Sequence, residues 1–173
     1  MAQDNPELSN RNTHAASQPL KVLLDSELKV RPESNLVAKN PHRLIVFCTR
    51  RAHPAREEQL QRLGVQVIRQ QAEERVDLIN VLATLANLGV QSLLVEGGSQ
   101  VFASFIQAVF VDEYYLFYAP FFIGGAAAKG VIGGSGIQDL NEAPRLIIKA
   151  MKRVGPDLLV HAYQKELEVC LPV

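Results

Sequence analysis

Leu93–Ile106 reads LLVEGGSQVFASFI, and it sets a carboxylate and two glycines where an apolar run gives way to an amphipathic one. A strand that runs through Gly-Gly into a helix has the geometry of a phosphate cradle. Glycine removes the Cβ and lets backbone approach a ligand closely. The first N–H groups of the helix, around Ser99–Phe102, have no intrahelical acceptor. They and the helix dipole favour an anion. In open α/β sheets ligands bind beyond the carboxyl ends of the strands, where this turn would lie. The run is not G-x-G-x-x-G, so the ordinary dinucleotide fingerprint is absent. A Gly-Gly turn before a helix also serves as a plain tight connection, and the residues alone allow both readings. Glu96 weighs towards function, because a carboxylate closing an apolar run needs a partner, in the protein or in a ligand. A structural salt bridge is the alternative.

A second basic feature follows the run LIVFC. Thr49, Arg50 and Arg51 stand at what reads as a strand's carboxyl end. Two arginines there suit the 2′-phosphate that separates NADPH from NADH, and they suit a solvated basic loop equally well. His14, His42, His53 and His161 are scattered without metal-ligand spacing. Cys48 and Cys170 give neither a metal pattern nor a disulfide framework.

The elements that must hold these residues alternate between two periods. KVLLD, LIVFC, VQVIR and SLLVE (Ser92–Glu96) are short β-type runs, and LIVFC and SLLVE have no polar face, as buried strands do. Between them lie helical patterns: one from Pro54 to a stop at Gly64, one with Leu78, Leu82, Leu85 and Leu88 between Asp77 and Gly89, and one from Ser99 with Val101, Phe102, Phe105 and Ile106 on its apolar side. This predicts βαβ units and a mostly parallel sheet flanked by helices. The last third differs. KRVGPD (Lys152–Asp157) is a turn between two strand-like runs, which predicts an antiparallel hairpin at a sheet edge. Gly124–Gly136 reads as a flexible loop.

The bulk numbers exclude several classes. Within 173 residues, 18 Lys+Arg balance 18 Asp+Glu, so no polyanion is implied as the main partner. The 47% hydrophobic fraction suffices for one globular domain spanning residues 1–173, with residues 1–20 as an irregular leader. No run is long enough to span a bilayer and the start lacks a signal-peptide pattern, so the expectation is a soluble cytoplasmic protein.

Five segments, in order, resemble one family: DNPELSNR (D-x-P-x-L-x-x-R), VLLDS (V-x-L-D-S), VEGG, VDEYYLFYAPFFIGG (V-D-E…A-P…I-G-G) and GPDLLVHAY. Together they resemble the C-terminal reductase domain of the bacterial bifunctional riboflavin-biosynthesis deaminase/reductase, over nearly the whole chain. The resemblance implies a dihydrofolate-reductase-like fold. It implies NADPH-dependent reduction of the ribosyl group of 5-amino-6-(5-phosphoribosylamino)uracil, a nicotinamide hydride reaching C1′ of the open-chain imine. By position, Glu96 would lie at the substrate as the nearest candidate for a catalytic group. Gly97, Gly98, Ser99, Gln100, Val101, Phe102, Ala103 and Ser104 would hold the cofactor phosphates. Asp4 and Ser26 match cofactor-contacting positions, and Leu8 and Arg11 substrate-contacting ones. A guanidinium at Arg11 forks onto the oxygens of a 5′-phosphate. Each has a plainer reading: a turn residue at Asp4, turn chemistry at Ser26, a solvated charge at Arg11. The family also implies a homodimer, for which the apolar YYLFYAPFF (Tyr114–Phe122) could supply the surface.

The chain departs from the family in two ways. It lacks H-x-E and P-C-x-x-C, so zinc-deaminase chemistry is not expected. The strands that precede D-x-P in the family do not precede it here, as in a fragment or a shortened product. Against the reductase therefore stands an alternative, a nucleotide-binding or assembly module without turnover. A relative of the same fold acting on another substrate is a third reading.

Overall fold

The computed structural model describes residues 5–11, 18–125, 128 and 130–165. Asp4, His14 and Cys170 lie outside them. The chain divides into two compact units, residues 1–93 and 94–173.

The first unit is built on a parallel sheet in the order β1-β2-β3, with β1 Lys21–Leu24, β2 Leu44–Cys48 and β3 Gln66–Arg69. The central strand β2 is buried at every residue, because successive side chains point to opposite faces and both faces are covered. Leu44, Val46 and Cys48 join Leu23, Leu60 and Val65 in one core cluster. That cluster includes Leu36 and Val37 of the short helix α1 (Asn35–Ala38) and Leu60 of α2 (Pro54–Arg62). Ile45 and Phe47 face the other way, against Val81 and Leu85 of α3 (Leu78–Asn87). The helix starts follow the sequence signals. Pro54 opens α2, and Asp77 caps α3 by accepting the N–H of Ile79 at 2.9 Å. Gly64, with φ +91°, ends α2 where no other residue fits: a Cβ would meet the His42 ring at 2.4 Å.

The expected apolar stripe of α3 is corrected. Val81 and Leu85 carry the buried face, while Leu88 is exposed as the C-cap. The two successive i, i+3 steps from Leu82 through Leu85 to Leu88 drift round a helix of 3.6 residues per turn, so the stripe leaves the buried face at its end.

The second unit holds α4 (Ser99–Gln107) and an antiparallel sheet in the order β4-β6-β5, with β4 Tyr114–Tyr118, β5 Leu146–Val154 and β6 Asp157–Gln164. The expected hairpin is β5–β6, with β5 at the sheet's edge. It closes through Gly155-Pro156, and Gly155 at φ +59° provides the positive φ that a two-residue hairpin turn needs. A register shift between Ile148 and Ala150 marks a bulge in β5.

One expected strand is absent. Residues 91–98, including Ser92–Glu96, are neither helix nor strand, and Leu94 is 74% exposed. An all-apolar run becomes a strand only where neighbours take its backbone N–H and C=O groups and cover both faces. Among the described residues no ladder includes it.

Candidate functional site

In the first unit three of the candidate residues, Ser26, Thr49 and Arg50, collect at the carboxyl end of the parallel sheet. β1 leaves the sheet through Asp25 and Ser26, and β2 through Thr49, Arg50 and Arg51. The two loops are sewn together at one atom. The Ser26 carbonyl accepts the Thr49 N–H at 3.1 Å and the Thr49 hydroxyl at 3.0 Å. Thr49 is fully buried. Ser26, Thr49 and Arg50, separated in sequence, thus form one rim.

Arg69, the last residue of β3, holds that rim from below. Its guanidinium donates to the carbonyls of Thr49 and Ala52, both at 3.0 Å, and to the Glu57 carboxylate at 2.6 and 2.8 Å. Only a planar fork of donors can serve three such acceptors at once. The two exposed arginines are engaged too. Arg50 donates to Glu73 at 3.1 Å and to Gln71, and Arg51 pairs with Glu27. The basic loop is therefore neither a bare grip nor freely solvated: each guanidinium already holds a carboxylate.

The β1 loop is itself constrained. Asp25 accepts the N–H of Val30 at 2.7 Å, and the Leu28 N–H donates to the Asp25 carbonyl at 3.1 Å. Leu28 sits at φ +55° with a fully buried side chain. A branched residue in the left-handed region is a costly conformation that persists where the surroundings enforce it, commonly at functional sites.

Beside this loop lies a cavity of about 600 Å³ lined by Asn5, Pro6, Leu24, Asp25, Arg31 and Ser34, among others. The Ser34 hydroxyl oxygen is buried without a hydrogen-bond partner among the described residues. Residues 5–11 are docked on α1: Asn5 accepts the Asn35 N–H at 2.9 Å, and Glu7 pairs with Lys39 at 2.8 Å. The Lys39 ammonium, as hydrogen-bond donor, is the main reason the Glu7 carboxyl lies below its ordinary range. Leu8 packs half-buried against the core, and Arg11 is exposed.

In the second unit the turn Glu96–Gly98 leads into α4 as the sequence reading expected. Gly98 is the N-cap, with φ +81° and no capping side chain. Only glycine adopts that conformation freely. A Cβ at Gly97 would meet nothing within 4 Å, and at Gly98 only Val101 at 3.7 Å, so the approach is open. No acidic residue stands in the first turn of α4 to oppose an anion. Ala103 is buried, and the Ser104 hydroxyl donates back to the Gln100 carbonyl at 2.9 Å. The Gly-rich segment is more than a loose loop, because the Gly133 N–H donates to the Ser99 carbonyl at 2.9 Å.

The burial argument for Glu96 is corrected. The residue is exposed, so its carboxylate is solvated and needs no partner within the protein.

On the sheet of the second unit, Glu113 accepts the Tyr115 hydroxyl at 2.6 Å and faces His161 Nε2 at 3.0 Å. The His161 ring stacks on Tyr115, with centroids 4.6 Å apart. His161 is thus paired within the protein. Among the described residues no group of His, Cys, Asp and Glu could hold a metal ion, and no helix is long and apolar enough to cross a membrane.

Sequence reasoning did not single out Glu27, Arg69 or Glu57. The signal for Arg69 was a charge closing a strand, and for Glu27 a position next to Ser26. Neither spacing is distinctive on its own.

Comparison with known proteins adds an independent line. The family model of the RibD C-terminal domain matches residues 1–160. The riboflavin biosynthesis protein RibD of Bacillus amyloliquefaciens is 32% identical over 163 residues, covering 94% of this chain and 44% of that protein. The 2,5-diamino-6-ribosylamino-4(3H)-pyrimidinone 5′-phosphate reductase of Methanothermobacter thermautotrophicus is 30% identical over 159 residues, covering 91% of this chain and 72% of that one. Among solved structures, Acinetobacter baumannii RibD superposes with a TM-score of 0.79 at 20% identity, over 94% of this chain and 44% of that one. The chain therefore spans less than half the length of the RibD relatives it matches.

Proposed function

The chain belongs to the RibD C-terminal domain family, and from that premise we propose that it is an NADPH-dependent reductase acting on the ribosyl group of a phosphoribosylamino-pyrimidine, in the cytoplasm. The substrate we infer is 5-amino-6-(5-phosphoribosylamino)uracil or its diamino-pyrimidinone counterpart. The observation that carries this reading is the rim at the carboxyl end of the parallel sheet, where Ser26, Thr49 and Arg50 converge although 23 positions separate the first two. Such a rim is where open α/β sheets take nucleotides.

The residues fit the cofactor. The open Gly97-Gly98 turn and the first N–H groups of α4 suit a pyrophosphate. When bound, the cofactor supplies the hydride. The protein's own task is placement: a fixed geometry of donor and acceptor removes most of the entropy barrier of a bimolecular step. Glu96, exposed at the turn, offers a carboxylate to the substrate. Arg11 offers a fork for its 5′-phosphate, and Leu8 an apolar contact. The cavity beside Asn5 and Asp25 has the size of a small-molecule site.

A homodimer belongs to the same reading. The strand β4 lies at one edge of its sheet and exposes Tyr115, Phe117 and Tyr118, followed by exposed Phe121, Phe122 and Ile123. A contiguous apolar patch of that kind marks an association surface. A monomer at micromolar concentration in sedimentation would remove this part.

One observation favours the second reading, a binding module without turnover: among the described residues the segment before Glu96 has no strand partner, and Leu94 is exposed. Two assays separate the readings. NADPH binding is measured by calorimetry, with NADH in parallel, and oxidation of NADPH is then followed in the presence of the pyrimidine. Binding with turnover supports the reductase. Binding without turnover, by a folded protein, leaves the module.

A further inference from the structure

The loop after β1 carries an anion of its own at the rim. Glu27 contacts Lys29 at 2.8 Å through one carboxylate oxygen and Arg51 through the other. The carboxylate is the enclosed partner: its side chain is 27% exposed, against 55% for Arg51 and 74% for Lys29. Two cations open to solvent thus converge on one sheltered anion. The Lys29 ammonium, as hydrogen-bond donor, is the main reason the Glu27 carboxyl lies below its ordinary range.

This cluster is fixed by its surroundings on both sides. Leu28, the residue between Glu27 and Lys29, is in the left-handed conformation with its side chain fully buried and anchors the loop. Arg56 donates to the Leu28 carbonyl at 2.9 Å. On the other side Arg51 follows Thr49 and Arg50, whose loop is sewn to Ser26 and clamped by Arg69. Arg50 is committed to Glu73 and Gln71. Of the basic loop's two arginines, Arg51 is the one whose anion lies on the β1 rim itself.

A carboxylate at this end of a sheet accepts a hydrogen bond from a ribose 2′-hydroxyl, whereas a guanidinium donates to a 2′-phosphate. Here the two groups are bound to each other. We propose that Glu27 is a specificity-determining residue of the nucleotide site, its carboxylate occupying Arg51, the cation that a ribose 2′-phosphate takes. A nucleotide bearing that phosphate binds by displacing Glu27 from Arg51. One with a free 2′-hydroxyl binds without breaking the pair. The chain therefore discriminates between the two less sharply than unpaired cations would. This inference rests on the nucleotide reading given above.

The test uses 2′,5′-ADP and 5′-AMP, which differ only in the 2′-phosphate, titrated by calorimetry into the full chain. Glu27→Gln keeps the size of the side chain and removes its charge. The expected result is tighter binding of 2′,5′-ADP, by about two- to fivefold, which is what releasing an exposed ion pair allows. Binding of 5′-AMP should not tighten. Adding Arg51→Gln should abolish the gain, and circular dichroism confirms that each variant is folded. If wild type binds 2′,5′-ADP and Glu27→Gln leaves that affinity unchanged or weaker, the inference falls and the reductase reading stands. A gain that survives Arg51→Gln also overturns it. If the folded wild type binds neither NADPH nor 2′,5′-ADP, the nucleotide reading fails and this inference with it.

Discussion

Replacing Arg69 by Met removes the clamp under the rim, and its cost can be worked from the contacts. The guanidinium serves the carbonyls of Thr49 and Ala52, whose residues are essentially buried, and the partly buried Glu57. The Thr49 carbonyl keeps the Ala52 N–H at 3.2 Å, so the Ala52 carbonyl is the one that loses its donor, and a buried carbonyl left without a donor costs about 1–3 kcal/mol. Glu57 is 22% exposed and can turn towards water, so its lost ion pair is worth about 1 kcal/mol or less. Methionine fills the apolar stem and donates nothing. The expected loss is about 1–4 kcal/mol, a large share of the roughly 5–15 kcal/mol of an ordinary domain. Urea unfolding followed by circular dichroism reads it directly. Glu57→Gln is the control, because it removes the charge and keeps the carbonyl clamp; it should cost about 1 kcal/mol. A loss below about 1 kcal/mol for Arg69→Met would refute the reasoning, since the Ala52 carbonyl would then be satisfied without the guanidinium. Arg69→Lys should fall between, because one ammonium cannot reach three acceptors set for a planar fork.

Other outcomes follow from single sites. Gly64→Ala should destabilise by about 2 kcal/mol or more in the same titration, because it combines a left-handed backbone with a Cβ at 2.4 Å from the His42 ring. Gly98→Ala meets no such clash, so it should cost only about 1–2 kcal/mol of backbone strain, while weakening NADPH binding in calorimetry by more than that loss explains. Glu113 gives a pH signature. The Tyr115 hydroxyl holds its carboxyl below the ordinary value of 4.5, with His161 adding to the effect. A carboxylate with a lowered folded pKa contributes stability above its unfolded pKa and loses it as pH falls through the folded value. Wild type should therefore exceed Glu113→Gln in stability at neutral pH, and the gap should close below about pH 4.5. A gap that does not change with pH contradicts the assignment.

Much of this architecture is legible in the chain. LIVFC announces a strand covered on both faces, and β2 is buried at all five residues. Asp77 and Pro54 mark helix starts by donor geometry that needs no tertiary help. Gly98 marks the start of α4 because only glycine takes its φ freely. What local reading misses is held by distant partners. Leu28 looks like an ordinary core leucine until its φ is seen. Arg69 reaches carbonyls 17 and 20 positions away, and Glu27 meets Arg51 across two loops.

The same distinction explains the error at Glu96. The inference from SLLVE to a buried carboxylate had two steps. The first, from apolar run to strand, depends on neighbours that the run does not itself encode. The second, from burial to an obligatory partner, holds only if the first does. Because Leu94 is exposed and the run has no ladder, Glu96 loses its structural claim on a partner. Its functional claim now rests on position alone, beside the Gly97-Gly98 turn that leads into α4. A solvated carboxylate there can be removed at little structural cost, so Glu96→Gln should leave the unfolding midpoint within about 0.5 kcal/mol of wild type. If the residue acts on the substrate, the same variant should lose turnover while still binding NADPH. Retained turnover would leave Glu96 as a surface residue, and the catalytic role would have to be sought elsewhere.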